Sequence, residues 1–161
     1  MRVYHEFEPI FNNQSKILVL GSFPSVKSRE QHFYYGHPQN RFWKVLSKVL
    51  ACEEPITIED KKKMLLEHEI ALWDVIESCE IVGSSDASIK EVIPNRIEEV
   101  LEHSSVKVIF CNGKTAYNLY KKYFKHLSIE VICLPSTSAA NAAYRLDRLI
   151  EQWKVIKNYE K

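Results

Sequence analysis

Four short, largely apolar segments, each ending abruptly at a polar residue, a glycine or a proline, constrain this chain more than any other feature of its sequence. They are rich in β-branched side chains and are separated by longer stretches with a helical pattern. Continuous apolar runs of this length are typical of strands that are buried on both faces of a parallel sheet. We therefore predict strands at 16–20, 70–73, 106–110 and 129–134.

The stretches between these strands have apolar residues on one helical face. They predict helices at 42–50, 61–68 (with Thr57 as the N-cap), 95–101, 116–127 and 146–156. Alternating strands and helices predict an α/β fold, a three-layer αβα arrangement with a central four-stranded parallel sheet. The length of 161 residues is that of one domain, and six prolines and four glycines leave little room for linkers, so we predict a single domain over 1–161.

Composition excludes several classes of protein. The 22 basic and 21 acidic residues give a net charge of +1, which excludes a histone-like polyelectrolyte but leaves a local nucleic-acid-binding patch possible. The four cysteines are far apart and form no C-x-x-C pattern, so we expect no metal or iron–sulfur cluster. With no apolar run long enough for a membrane span and no signal-peptide pattern at the start, we expect a cytoplasmic monomer without membrane contact.

In parallel sheets the functional site lies beyond the carboxyl ends of the strands, so the residues there are the candidates. The four predicted ends are followed by polar loops. These contain Gly21, Ser22, Phe23, Ser25 and Ser28; Tyr34 to Asn40; Asp74 and Asp86; Asn112 and Lys114; and Pro135, Ser136, Thr137, Ser138 and Asn141. No P-loop, G-x-G-x-x-G or G-x-S-x-G pattern occurs. A serine, His37 and an aspartate leave a hydrolase triad as an alternative.

Three of these loops suggest contacts to a nucleic acid. Tyr34 or Tyr35 could stack on a planar base, although one of them could instead belong to the core. Asn40 could hold a water or a base edge with its amide, or could only cap the following helix. The hydroxyl-rich segment 135–141 reads as a transition into a helix, whose N–H groups bind anions; Arg145 could flank it.

The same residues resemble a known family. The blocks GSFPS (21–25) with Ser28, YYGHPQNRFW (34–43), FCNGK (110–114) and LPSTS (134–138) with Asn141 are similar to the uracil-DNA glycosylase superfamily. Their order and their H-P-x-N segment match its hypoxanthine-DNA (DNA-deoxyinosine) glycosylase branch. Together the four blocks cover nearly the whole chain.

The resemblance implies hydrolysis of an N-glycosidic bond in DNA that contains a deaminated base, with no cofactor. It assigns the catalytic amide to Asn40, and the backbone around Ser22 and Phe23 to the water site. Base-binding residues would be Tyr34, Tyr35, Gly21 and Asn112. DNA-binding residues would be Ser25, Ser28, Lys114, Pro135, Ser136, Thr137, Ser138, Asn141 and Arg145.

The chain departs from its relatives in two of the blocks. Phe23 stands where mismatch-specific relatives carry a catalytic Asn, and Leu134 stands where uracil-specific relatives carry a His. These departures favour hypoxanthine over uracil as the base that is excised. Three alternatives stay open: a mismatch-specific uracil/thymine glycosylase, a non-catalytic nucleic-acid-binding module of the same fold, and a serine hydrolase.

Overall fold

The computed structural model describes residues 1–160 and contains seven strands and six α-helices in that range. The strands are β1 (Arg2–Tyr4), β2 (Ile17–Gly21), β3 (Ile70–Asp74), β4 (Ile76–Glu80), β5 (Lys90–Pro94), β6 (Val108–Asn112) and β7 (Glu130–Leu134). The helices are α1 (Val26–Gln31), α2 (Phe42–Val49), α3 (Ile58–Glu67), α4 (Ile97–Glu102), α5 (Lys114–Phe124) and α6 (Leu146–Trp153). Each predicted strand is present, displaced by at most two residues at either end.

The central sheet has four parallel strands in the order β3-β2-β6-β7. Every residue of β2 and β3 is buried, because helices cover both faces of the sheet, and this is the pattern that continuous apolar runs predict. The register places Gly21 beside Asp74 at the carboxyl edge. The predicted α/β fold with a four-stranded parallel sheet is confirmed.

The helices pack on this sheet through large aromatic side chains. Phe42 of α2 and Trp153 of α6 meet edge to face with ring centroids 5.8 Å apart, and both are fully buried. The Thr57 hydroxyl accepts a hydrogen bond from the Asp60 N–H, which confirms the predicted N-cap of α3. Cys111 is buried in β6, as an apolar thiol in a central strand should be.

A second sheet, which the sequence did not predict, lies beside the first. It is antiparallel, with strand order β1-β4-β5. Strand β4 contains two glutamates and a serine among its five residues, and β1 has only three residues, so neither gives a continuous apolar signal. The chain leaves β3 and, after Val75, enters β4, so this small sheet continues directly from the carboxyl edge of the large one.

One local prediction is wrong. Residues 135–141 do not lead directly into a helix, because α6 begins at Leu146 and the intervening backbone forms irregular turns. A helix-terminus anion site in this segment is therefore absent from the described part of the chain. Among residues 1–160 no helix is both long and apolar enough to span a membrane.

Candidate active site

A cavity of about 1200 Å³ opens at the carboxyl edge of the central sheet. Its walls come from the ends of all four parallel strands and from the loops that follow them. Fifteen of the sixteen residues that the sequence analysis proposed line it; the exception is Arg145, which is exposed outside it. The wall also includes Asp74 and Asp86, to which the sequence analysis gave no role.

Three side chains on one wall form a hydrogen-bonded chain. The Thr137 N–H donates to Asn112 Oδ1 at 3.0 Å, and Asn112 Nδ2 donates to Thr137 Oγ1, also at 3.0 Å. The Thr137 hydroxyl in turn donates to Asn40 Oδ1 at 2.9 Å. A backbone N–H can only donate, so the bond from Thr137 N–H fixes the orientation of Asn112 and the direction of the whole chain.

The Asn40 amide is fixed by two donors. Its Oδ1 accepts from the Phe42 N–H at 2.9 Å as well as from the Thr137 hydroxyl, so both lone pairs of this oxygen are used. Asn40 Nδ2 has no hydrogen-bond partner in residues 1–160, and the residue lines the cavity. Asn40 therefore supports the start of α2 with its oxygen and offers a hydrogen-bond donor to the cavity.

The residue that follows, Arg41, holds the loop after β7. Its guanidinium donates to the carbonyl oxygens of Thr137, Ser138, Asn141 and Tyr144, and its N–H donates to Thr137 as well. The planar guanidinium can serve several acceptors at once, which an ammonium cannot. Arg41 thus ties the loop to the segment that carries Asn40. Sequence reasoning missed it, since an arginine whose partners are backbone carbonyls about 100 residues away leaves no local pattern.

Another part of the cavity wall surrounds Gly21. A Cβ atom at position 21 would lie 2.4 Å from Asp74 Oδ1 and 2.8 Å from the Tyr35 hydroxyl, so only glycine fits there. Asp74 is buried, and its Oδ2 is 2.8 Å from His5 Nε2. Tyr35 stacks on Phe42 with ring centroids 4.1 Å apart. His5 was missed by the sequence analysis because it lies just after a three-residue strand without a recognisable motif.

A second carboxylate lies near the start of the loop after β2. The Ser22 hydroxyl donates to Asp86 Oδ1 at 3.3 Å. Although Asp86 is exposed as a residue, its carboxyl lies on the cavity wall. Desolvation raises the pKa of Asp86, the hydrogen bond from Ser22 and the nearby Thr115 side chain oppose that shift, and the Asp74 charge adds to it.

Comparison with known proteins identifies the family of this chain. A family model described as "Uracil DNA glycosylase superfamily" matches residues 8–158. The chain belongs to the uracil DNA glycosylase superfamily.

Two curated members of the superfamily are similar to the chain. A protein from Methanosarcina barkeri named hypoxanthine DNA glycosylase is 31% identical over 137 residues, covering 84% of this chain and 86% of the relative. One with the same name from Methanosarcina acetivorans is 30% identical over 158 residues, covering 93% and 95%. The solution NMR structure of a candidate uracil DNA glycosylase from Methanosarcina acetivorans superposes with a TM-score of 0.83 at 30% identity, covering 96% of this chain and 97% of that one.

In this DNA glycosylase, two of the residues proposed as base-binding or catalytic have side chains that pack within the protein. Tyr34 has a relative exposure of 1%, its ring packs edge to face on Phe7 and Phe33, and its hydroxyl donates to the Glu8 carbonyl. It has no open face on which a base could stack. The Phe23 side chain packs with Ile76 and Cys79, so the expectation that its backbone contributes to the water site involves no contact by the ring.

Two residues proposed as DNA-binding are internal instead. Ser28 is buried, and its hydroxyl accepts from the Gly36 N–H and pairs with Ser25, which is the N-cap of α1. Thr137 is fully buried in the chain of hydrogen bonds to Asn40. A buried side chain cannot reach a phosphate, so the predictions for Ser28 and Thr137 are wrong. Ser25 lines the cavity, but its hydroxyl is used in capping.

Other proposed DNA-binding residues remain accessible at the cavity rim. Lys114 is exposed, and Pro135, Ser136, Ser138 and Asn141 are partly exposed. In the segment 83–88, the Ser84 hydroxyl accepts from the Val26 N–H and the Ser88 hydroxyl from the Val82 N–H, so both serines hold local turns. No three His, Cys, Asp or Glu side chains within residues 1–160 are grouped so that they could hold a metal ion.

Proposed function

We propose that this DNA glycosylase hydrolyses the N-glycosidic bond of deoxyinosine in DNA, releasing hypoxanthine and leaving an abasic site as the first step of base excision repair. Two curated relatives named hypoxanthine DNA glycosylase support the choice of base. The H-P-x-N segment that ends at Asn40 supports it independently. The observation that carries the proposal is the free amino group of Asn40 at the cavity.

The reaction passes through a sugar with oxocarbenium character, as O-glycoside hydrolysis does. Breaking the C1′–N9 bond leaves its electron pair on the base, so negative charge develops on the purine. Hydrogen-bond donors placed where charge develops stabilise the transition state more than the ground state. Because its oxygen is already saturated, Asn40 acts as a donor to the leaving base and not as a base toward water.

The nucleophile is a water molecule, and Asp86 with Ser22 forms the site that receives it. The water oxygen bonds to C1′ and one of its protons passes to the Asp86 carboxylate, from which it returns to the solvent or to the departing base. The raised pKa of Asp86 makes it a better proton acceptor than an ordinary aspartate. The Ser22 hydroxyl, which donates to Asp86, orients the carboxylate.

The target nucleotide must leave the duplex before its glycosidic bond can enter the cavity. Flipping costs least at a mispaired base, such as the deoxyinosine–thymine pair that adenine deamination creates. The rim residues Lys114, Ser136, Ser138 and Asn141 hold the phosphates on either side of the flipped nucleotide. Phosphate contacts fix the position of the duplex and carry little information about the base.

Duplexes with a single deoxyinosine or deoxyuridine test the proposal under single-turnover conditions. We expect release of hypoxanthine, with strand cleavage only after alkali, because no step needs a lysine nucleophile. Lys114, the lysine on the described cavity wall, is the control: its replacement by Gln should leave the product unchanged. Faster release of uracil than of hypoxanthine would identify a uracil or mismatch-specific enzyme. Binding without any base release would identify a non-catalytic module.

A further inference from the structure

Two polar atoms on the Gly21 wall have no hydrogen-bond partner in the described residues. The Tyr35 hydroxyl is buried without a partner. Asp74 Oδ1 also has none, since the carboxylate uses Oδ2 for His5 and the Asp74 carbonyl accepts from Asn95. A buried polar group without a partner destabilises the protein, so a ligand that accepts from the Tyr35 hydroxyl removes this penalty, and one that also donates to Asp74 Oδ1 uses the free oxygen beside it.

The Tyr35 hydroxyl keeps its proton and is therefore available as a hydrogen-bond donor. Burial raises the pKa of Tyr35 far above its ordinary value, and the charge of Asp74 raises it further. The Asn112 side chain, which is near but makes no hydrogen bond with the hydroxyl, offsets part of this shift. The ring cannot easily turn away, because it stacks on Phe42 and the residue has a left-handed backbone with φ of 54°.

Asp74 supplies the complementary acceptor. His5 holds Oδ2, and the side chains of both residues are at most 5% exposed, so the orientation of the carboxylate is fixed. The remaining oxygen, Oδ1, lies beside Gly21 on the same side as the Tyr35 hydroxyl. The absence of a side chain at position 21 lets the donor and the acceptor lie next to each other.

We propose that the Tyr35 hydroxyl and Asp74 Oδ1 together bind the lactam edge, –CO–NH–, of the flipped base. The hydroxyl donates to the carbonyl oxygen and Oδ1 accepts from the adjacent N–H. In hypoxanthine these groups are O6 and N1–H. This inference rests on the proposed function, because it assumes that a nucleobase enters the cavity.

The pair distinguishes a deaminated base from its parent. Adenine has an amino group at C6, which donates, next to an unprotonated N1, which accepts. Deamination replaces them by the carbonyl oxygen O6, which accepts, next to N1–H, which donates. Adenine therefore sets its N1 lone pair against the lone pairs of Asp74 Oδ1 and has no carbonyl oxygen to accept from the Tyr35 hydroxyl. A site built to hydrogen-bond a polar edge rejects analogues that lack it more strongly than an apolar pocket rejects a change in size.

Binding to uncleavable duplexes tests this recognition separately from catalysis. Fluorine at C2′ destabilises the sugar cation, so 2′-fluoro analogues are bound but not hydrolysed. The probes are duplexes with the 2′-fluoro analogue of deoxyinosine or of deoxynebularine, a purine without O6 and without N1–H. We expect the wild type to bind the deoxyinosine duplex about tenfold more tightly than the deoxynebularine duplex. This is the difference in affinity that one to two additional hydrogen bonds would give.

Tyr35→Phe and Asp74→Asn should each remove most of this preference. Tyr34→Phe is the matched control: it deletes the neighbouring hydroxyl, which is bonded to Glu8 in the core, and should keep the preference. Asp74→Asn could fail to fold because it breaks the pair with His5. Tyr35→Phe has no such problem, because it removes a buried hydroxyl that has no partner, and its melting temperature should stay unchanged or rise.

The outcomes separate the two proposals. A preference that persists in a folded Tyr35→Phe variant, or that is absent from the wild type, overturns the assignment of Tyr35 and Asp74. Loss of preference in Tyr35→Phe with retention in Tyr34→Phe supports it. If the wild type discriminates between the two fluorinated duplexes but releases no base from ordinary deoxyinosine, the proposed function fails while the recognition pair stands.

Discussion

Two walls of the same cavity differ in how their polar groups are satisfied. On the wall formed by Asn40, Arg41, Asn112 and Thr137, called here the bonded wall, each side chain makes at least two hydrogen bonds within the protein. On the wall formed by Gly21, Tyr35 and Asp74, called here the open wall, a donor and an acceptor lie side by side without partners. Both walls lie at the carboxyl edge of one sheet.

The difference indicates a division of work between the walls. A network in which each side chain makes two or more hydrogen bonds holds its members in one arrangement, so the bonded wall can present the unpaired Asn40 amino group at a fixed place. The open wall is less stable as it is, and its unsatisfied groups are available for a ligand. Such local departures from good hydrogen bonding are typical of functional sites.

Replacement of Asn40 by Asp should have the largest effect on the rate. Aspartate keeps an oxygen for the Phe42 N–H and the Thr137 hydroxyl, but it puts a negatively charged acceptor where the donor was. Loss of one donor to a developing charge lowers kcat by about 10²–10³-fold. We expect at least this loss in single-turnover release of hypoxanthine, with the melting temperature nearly unchanged.

Asn40→Ala separates the two functions of this side chain. It removes the donor and the helix-supporting oxygen together, so the loss of rate should be accompanied by a loss of about 1 kcal/mol in stability. Near-normal hydrolysis by a folded Asn40→Asp protein would show that the amino group has no part in the reaction.

Replacement of Asp86 by Asn should have the next largest effect and should alter the pH dependence. Only the ionised carboxylate accepts a proton, so the wild-type rate should fall as the pH decreases through the pKa of Asp86, which desolvation raises above 3.8. General-base catalysis contributes about 10²-fold or more where it operates fully. The pH profile of single-turnover release should lose its acidic limb in the variant.

The stability of the Asp86 variant provides a control on this interpretation. A raised pKa in the folded state means that folding disfavours the ionised carboxylate. The contribution of Asp86 to the free energy of unfolding is therefore greatest at low pH, where its carboxyl is protonated. This contribution is lost as the pH increases through the raised pKa of the folded state. Asp86→Asn should consequently melt no lower than the wild type at neutral pH. An acidic limb that persists in this variant would assign it to another group.

Replacement of Thr137 by Val should have a smaller effect on the rate, because it acts on Asn40 indirectly. Valine has nearly the same shape, but it removes the bridge between Asn112 and Asn40 and leaves the Asn112 amino group without its partner. An unpaired buried donor costs about 1–3 kcal/mol of stability. We expect kcat to decrease about tenfold with little change in KM. The decrease corresponds to an activation free energy that is higher by about 1.4 kcal/mol.

Thr137→Ser is the matched control for the hydroxyl. It keeps the donor to Asn40 and removes only a methyl group, so most of the rate should return. If both variants lose stability equally and neither changes kcat, the bonded wall has a structural role only.

Much of the fold could be predicted from the sequence, since the relevant signals are local. The four parallel strands are continuous apolar runs, and Thr57 caps α3 with a partner three residues away. The antiparallel sheet has no such signal: three of the five residues of β4 are polar or charged, and β1 has three residues. A pairing of so short a strand with one more than 70 residues away is decided by tertiary packing.

The site was predicted as a set of residues but not as an arrangement. The loops after each strand identified the cavity, because parallel strands bring their carboxyl ends together. They could not show that Thr137 points inward to Asn40 or that His5 holds Asp74, since these contacts join residues 97 and 69 positions apart. A hydroxyl that binds phosphate and one that bridges two amides look identical in a sequence.

The smallest effect is expected at the rim, where the double substitution of Ser136 and Ser138 by Ala removes two hydroxyls from the loop that Arg41 holds. Both hydroxyl oxygens accept from nearby N–H groups, so their hydrogens remain free to donate to a phosphate. We expect the affinity for duplex DNA to fall a few-fold, equally for deoxyinosine and deoxyuridine duplexes, because phosphate contacts do not report the base.

Salt dependence distinguishes this loss from the loss of a charged contact. Neutral hydroxyls displace no counterions, so the slope of log Kd against log salt should be unchanged in the double variant, whereas each phosphate contact by a cation contributes about 0.9 to it. Arg145, exposed outside the cavity, is the charged comparison: Arg145→Ala should reduce the slope if its guanidinium meets a phosphate. Titration of a labelled duplex at several salt concentrations, with a thermal melt of each variant, measures both quantities. Unchanged affinity in a fully folded double variant would limit the role of these serines to the local turns, and DNA binding at the rim would then rest on Lys114 and Asn141.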